Sequence, residues 1–103
     1  MNRRSPPIVR RSVIFVIETI AQAGTLESSD CLVTVSPSPT LELECRGATA
    51  GLFAERNRAV VESVLRERGL TGAKVQIQDQ GALELTLRAR IGTALDRARG
   101  GAR

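Results

Sequence analysis

Residues 31–36 are apolar and β-branched and residues 41–46 carry an apolar side chain at every second position, whereas from about residue 49 to residue 68 the period is helical. A chain whose hydrophobic period changes this way must pack a sheet against a helix, because each has one apolar face and neither buries it alone. Cys31-Leu32-Val33-Thr34-Val35-Ser36 is apolar and β-branched and predicts a strand. Leu41, Leu43 and Cys45, alternating with Glu42, Glu44 and Arg46, predict a second strand with one wet face. Ser36-Pro37-Ser38-Pro39 lies between them as a turn, since proline has no donor for a ladder, and residues 31–46 are expected to close as a hairpin. Phe53, Val60, Val61, Val64 and Leu65 then share one side of a helix that runs from Thr49 or Ala50 to Arg68. Glu62 and Arg66 form a favourable i,i+4 pair on its outer side, and Gly69 is a natural stop.

In the second half, Val75 and Ile77 alternate with Lys74, Gln76 and Gln78, and Asp79-Gln80-Gly81 has the composition of a turn. Beyond it two periods fit the same residues. Leu83, Leu85, Leu87, Ala89 and Ile91 alternate with polar neighbours, yet Leu83, Leu87, Ile91, Ala94, Leu95 and Ala98 also make a helical stripe. The turn and the unbroken alternation favour a second hairpin, followed by a short helix from about Gly92 to Arg99. The expected fold is α+β, a small single domain of order ββαββα with one antiparallel sheet and two helices packed on it. Val33, Leu41, Val60, Val64, Ile77 and Leu87 are its expected core.

The 103 residues have room for one small domain. There is no His, which excludes catalysis or metal binding through imidazole, and the only aromatic residues are two Phe, too few for a base-stacking nucleic-acid surface. The net charge of +4 would suggest a polyanion partner if it were spread over the fold. It is not: Arg3, Arg4, Arg10 and Arg11 stand at one end without an acid, Arg99 and Arg103 stand at the other, and residues 16–98 carry nine basic against eleven acidic groups. No basic stripe marks a nucleic-acid groove. A small regulatory or nucleic-acid-binding domain that uses the basic tails is the alternative of another class. The apolar run Val13–Ile17 ends at Glu18 after five residues, too short for a secretory signal or a membrane span. Cys31 and Cys45 lie outside any Cys-x-x-Cys pair and are expected to be small buried side chains in a reducing cytoplasm, with no metal site.

The chemistry-bearing segment is Gly24-Thr25-Leu26-Glu27-Ser28-Ser29-Asp30, before the first expected strand. On composition alone it is a polar loop whose Ser and Asp satisfy backbone donors. It resembles the N-terminal motif of the acyl carrier protein of citrate lyase, the gamma chain. A second block agrees about fifty residues on: Asp79-Gln80-Gly81-Ala82-Leu83-Glu84, Leu87-Arg88-Ala89-Arg90, Ala94-Leu95 and Arg97-Ala98. The family usually has Asp-Lys-Gly-Ala-Leu there, so Gln80 departs at one position. The resemblance covers roughly residues 20–98.

It implies a non-catalytic carrier. In the family the first serine after Glu bears 2'-(5''-phosphoribosyl)-3'-dephospho-CoA through a phosphodiester, derived from a triphosphoribosyl precursor. That position is Ser28; Ser29 is the neighbour that relatives replace by Gly. The thiol of the arm carries acetyl, the alpha subunit (an acyl transferase) exchanges acetyl for citryl, and the beta subunit (a citryl lyase) releases oxaloacetate. The implied partners are these two subunits, in a hetero-oligomer, and the prosthetic-group transferase, with no nucleic acid and no membrane. Gly24, Thr25, Leu26, Glu27, Ser29 and Asp30 are the candidate recognition residues around the attachment site. Glu27 and Asp30 either guide basic partner surfaces or solubilise the loop. Arg88 and Arg90 are expected on an ordinary solvated face, the alternative being contact with the arm's phosphates or a partner. The acyl carrier subunit of malonate decarboxylase, which bears the same kind of group, is the alternative; Thr25-Leu26-Glu27 favours citrate lyase. Family members usually begin closer to the motif, so residues 1–19 are expected to be a disordered basic extension or, over 1–15, the product of start-site choice with Val16 as the true start. Residues 99–103 are expected as a disordered basic tail.

Overall fold

The computed structural model describes residues 17–47 and 51–99. Its elements are β1 (Ala21–Gly24), β2 (Cys31–Ser36), β3 (Leu41–Gly47), α1 (Ala54–Glu67), β4 (Ala73–Asp79) and α2 (Glu84–Ala98). The α+β class holds: one four-stranded sheet carries two helices on one face.

The inward rows of the central strands, Cys31, Val33 and Val35 in β2 and Ala73, Val75 and Ile77 in β4, are essentially inaccessible to solvent. Val60, Val61, Val64 and Leu65 of α1 and Leu87, Ile91, Ala94, Leu95 and Ala98 of α2 close over them. Of the expected core only Leu41 is partly exposed, because β3 is an edge strand. The opposite face of the sheet is polar, with Gln22 Nε2 on Thr34 Oγ1 (2.9 Å), Gln76 Nε2 on Glu44 Oε1 (3.0 Å) and Arg46 on Glu44.

The order is βββαβα, not ββαββα, and three local expectations are corrected. First, residues 31–46 do not form a hairpin. The sheet order is β1-β2-β4-β3, so β4 lies between β2 and β3. β2 and β3 are joined through residues 37–40 without pairing, and β4 takes the central position between them, where its buried apolar row is flanked on both sides.

Second, the sheet is mixed. β3 and β4 run parallel (Leu41↔Ala73 to Gly47↔Asp79), and α1 supplies the crossover that a parallel pair needs, while β2–β4 and β1–β2 are antiparallel. Third, residues 84–98 are one helix. Leu, Arg and Ala dominate the segment, no Pro or β-branched run interrupts it, and the stripe Leu87, Ile91, Ala94, Leu95, Ala98 is the one that reaches the core. The remaining strand is β1, whose Ala-Gln-Ala-Gly offers almost no strand signal.

α1 begins at Ala54, after a turn over residues 51–53, later than the start expected at Thr49 or Ala50; residues 49–50 themselves lie outside the described residues. Ile17 is buried in the core, and the amides of Glu18 and Thr19 donate to the Ala98 carbonyl, so the packed unit includes residues before position 20. The expectations for residues 1–16 and 100–103 lie outside the described residues. Among the described residues no helix is long and apolar enough to cross a membrane.

Candidate functional site

Residues 25–30 connect β1 to β2, and the loop is shaped from both ends. Gly24 has φ +102°, and a Cβ there would overlap the Cys31 carbonyl oxygen across the ladder. At the other end Asp30 gathers four donors. Its Oδ1 accepts from Cys31 N (2.7 Å) and Arg90 Nε (3.0 Å). Its Oδ2 accepts from Thr25 Oγ1 (2.7 Å) and Arg90 Nη2 (2.9 Å). The Thr25 hydroxyl oxygen in turn accepts from Glu27 N (3.1 Å). Asp30 N donates to Glu27 O (3.1 Å), so Glu27-Ser28-Ser29-Asp30 is a β-turn. Ser29 is its third residue and, among the described residues, the only one other than glycine with positive φ (+67°). A type II turn asks for this at its third position, which is why glycine suits it.

Ser28 sits at the corner of the turn, exposed, and no described residue hydrogen-bonds its hydroxyl. Leu26, Glu27 and Ser29 are exposed beside it. The loop is pinned from outside by a residue of which only the backbone is used: Ser29 N donates to Gln80 O (2.8 Å) and Gln80 N donates to Asp30 O (2.9 Å). A long polar side chain of either kind at position 80 leaves these bonds intact.

The turn that carries Gln80 is built on a buried polar cluster. Asp79 is inaccessible to solvent and its Oδ1 accepts from Gly81 N (3.0 Å) and Ala82 N (2.9 Å), with Arg56 Nη2 3.7 Å from Oδ2. Arg56 also donates to Ala82 O (3.2 Å) and to Asn57 Oδ1, and its guanidinium lies over the Phe53 ring at 4.5 Å. Asn57, itself buried, donates to Cys45 Sγ (3.9 Å). Both cysteines are free thiols, and burial pushes the Cys31 thiol up to about 11, which leaves it unreactive.

The structure thus brings Gly24–Asp30 together with part of the second motif block. It separates the two candidate recognition acids: Asp30 is turned inward onto Arg90, whereas Glu27 faces out and forms no ion pair with any described residue. Arg90 is not on an ordinary solvated face, and Arg88 bridges to Ser63 (3.2 Å), Glu67 (3.4 Å) and Glu84 (4.0 Å). Sequence reading missed Arg90, Arg56 and Asp79 as supports of the loop. Asp30 and Arg90 are sixty positions apart, and nothing in the sequence signals that the two should pair. No group of His, Cys, Asp and Glu among the described residues is arranged to hold a metal ion.

The Arg90 guanidinium, then the Thr25 hydroxyl and the Cys31 amide, hold the Asp30 carboxyl well below the usual carboxylate range. With a folded pKa below the unfolded value of about 3.9, its contribution is complete above that value and is lost only as pH falls toward the lowered one. In an NMR titration the Thr25 and Asp30 signals should stay flat from pH 7 to about 4. In Arg90→Ala the Asp30 midpoint should move up toward about 3.9. An unshifted midpoint in that variant would remove Arg90 as the cause.

A family model described as malonate decarboxylase delta subunit (MdcD), an acyl carrier protein family, matches residues 18–98. Among curated proteins, the citrate lyase acyl carrier protein of Haemophilus influenzae (strain PittEE) is 45% identical over 82 residues, covering 80% of this chain and 86% of that one. That of Treponema denticola is 43% identical over 82 residues, covering 80% and 94%, and that of Latilactobacillus sakei is 39% identical over 85 residues, covering 82% and 84%. The fold is also that of a chain in a crystal structure of a Pseudomonas malonate decarboxylase hetero-tetramer in complex with malonate, with TM-score 0.69 at 20% identity, over 82% of this chain and 89% of that one. These are small carriers that work inside multi-subunit enzymes. The chain belongs to this acyl carrier family, and the curated members it matches at 39–45% identity are citrate lyase acyl carrier proteins.

Proposed function

We propose that this chain is the acyl carrier subunit of a citrate lyase and that Ser28 is the attachment point for a phosphoribosyl-dephospho-CoA arm. The observation that carries the assignment is the geometry of the turn: Ser28 stands exposed at its corner, on a loop fastened by Asp30, Arg90 and the Gln80 backbone. Ser29 is the poorer candidate, since its amide is tied to Gln80 and its positive φ suits glycine. The site fits such a group: Ser28 is exposed and its hydroxyl has no hydrogen-bond partner among the described residues. Once attached, the arm supplies a thiol for acyl thioesters; Ser28 supplies only the tether.

The chain's own residues present the serine and do not activate it. Asp30 is kept ionised by Arg90 and is a poor base, and there is no His in the sequence. Activation therefore falls to the transferase that loads the arm, and acyl exchange and cleavage fall to the alpha and beta subunits of a cytoplasmic hetero-oligomer. The reading as a malonate decarboxylase carrier is favoured by the description of the matching family model and by the shared fold; the 39–45% identical relatives favour citrate lyase.

Intact mass of the full chain, co-produced with a prosthetic-group transferase and the enzymes that make its precursor, tests the proposal. One phosphoribosyl-dephospho-CoA adduct that maps to the peptide containing Ser28 is the expected result. An unmodified chain, or an adduct elsewhere, overturns it. Adding the alpha and beta lyase subunits to the loaded chain, in parallel with malonate decarboxylase subunits, separates the two carrier readings by which set restores turnover.

A further inference from the structure

The alternation Leu83, Leu85, Leu87 is only partly accounted for by packing. Leu87 is fully buried, but Leu83 and Leu85 are 74% and 78% exposed. Two more of the large exposed apolar side chains among the described residues, Leu26 (53%) and Leu52 (76%), lie on neighbouring segments. The Ser29–Gln80 bond joins the Leu26 loop to the turn before α2, and the Arg56–Ala82 bond joins the first turn of α1 to the same place. Four of the five such side chains thus belong to segments meeting around Ser28; the fifth, Ile20, precedes β1. Single exposed leucines are ordinary, whereas apolar side chains gathered beside one exposed nucleophile mark a contact surface.

Among the described charges at this end, those left without an ion pair are acidic. Arg90 and Arg56 are engaged with Asp30 and Asp79, while Glu27 and Glu55 form no ion pair with any described residue and Glu84 is only 4.0 Å from Arg88. We propose that Leu26, Glu27, Leu83, Glu84 and Leu85 form the surface on which the prosthetic-group transferase docks, and that the transferase meets it with an apolar patch edged by Lys and Arg. The transferase is the fitting occupant because its active site must reach the Ser28 hydroxyl itself, on the loop whose backbone is bonded to the turn that leads into these leucines. Enzymes that act on the far end of an arm are free to stand further off. The inference rests on Ser28 as the loaded residue.

Loading kinetics of the full chain by purified transferase and precursor, followed by intact mass, test it. Leu83→Gln with Leu85→Gln should raise KM for the carrier at least tenfold, with kcat within twofold and Tm unchanged or higher. Glu27→Gln with Glu84→Gln should raise KM several-fold and flatten its dependence on salt. Ile20→Gln should load like the wild type. An unchanged KM in the leucine double variant overturns the proposal. So does normal loading of that variant together with loss of turnover by the lyase subunits, which would assign the surface to them. A wild-type chain that does not load at all overturns the carrier reading instead.

Discussion

Ser28→Ala is expected to abolish loading while leaving the fold untouched, and Ser29→Gly to load normally and be slightly more stable. The contrast follows from the turn. Ser28 is exposed and its hydroxyl has no partner among the described residues, so its loss should change stability by no more than about 0.5 kcal/mol. Ser29 holds φ +67°, a conformation that costs a residue with a Cβ about 1–2 kcal/mol and glycine nearly nothing. Glycine's greater freedom in the unfolded chain offsets part of this, leaving a gain of up to about 1 kcal/mol, or a few degrees in Tm. Intact mass and thermal unfolding on the same samples check both halves. Loading of Ser28→Ala, or loss of loading in Ser29→Gly, would reverse the assignment of the two serines.

Gly24→Ala should carry the largest stability cost in the motif. The new Cβ would overlap the backbone oxygen of Cys31, and the residue would keep φ +102°. Backbone strain of this kind costs about 1–3 kcal/mol, and relief of the overlap must pull β1 away from β2 along the Gly24↔Leu32 pairing. We expect a loss on the order of 3 kcal/mol, lowering Tm by roughly 12–24 °C for a domain of this size. Gly51→Ala is the control: nothing lies within 4 Å of its added Cβ, and the change should stay within about 0.5 kcal/mol. Urea unfolding of the two variants beside the wild type gives the comparison. Equal stabilities would mean that the β1–β2 end relaxes freely.

What could be read along the chain was what depends on neighbours in sequence. The central strands β2 and β4, the body of α1 and the serine motif all carry their signal within a few residues. The errors arose where partners are distant or periods coincide. Leu83, Leu85 and Leu87 look like one face of a strand until it is seen that only Leu87 packs inward, so the alternation mixed a core residue with two surface ones. β1, Ala-Gln-Ala-Gly, has no β-branched or aromatic residue and is a strand because β2 offers it an edge. The insertion of β4 between β2 and β3 depends on the crossover through α1, which a local turn signal at Pro37 and Pro39 does not reveal. At the site, the motif around Ser28 can be read locally, but the support from Arg90 cannot, because it comes from a fold that brings α2 beside the loop.

The restraints on the serine loop from outside the β1–β2 segment come from Gln80 and Arg90, both later in the chain than the loop they hold. A nascent chain that has emerged only as far as β3 already contains every residue of the motif and none of these fastenings. The same holds for a product truncated before β4. Ribosomal synthesis therefore delivers the serine first and its presentation last, and the loop takes its working shape only on a chain that has been made through α2. Incomplete chains carry the motif without the Gln80 and Arg90 contacts that hold its loop, a difference that, on the proposed role of Ser28, a modifying enzyme could read.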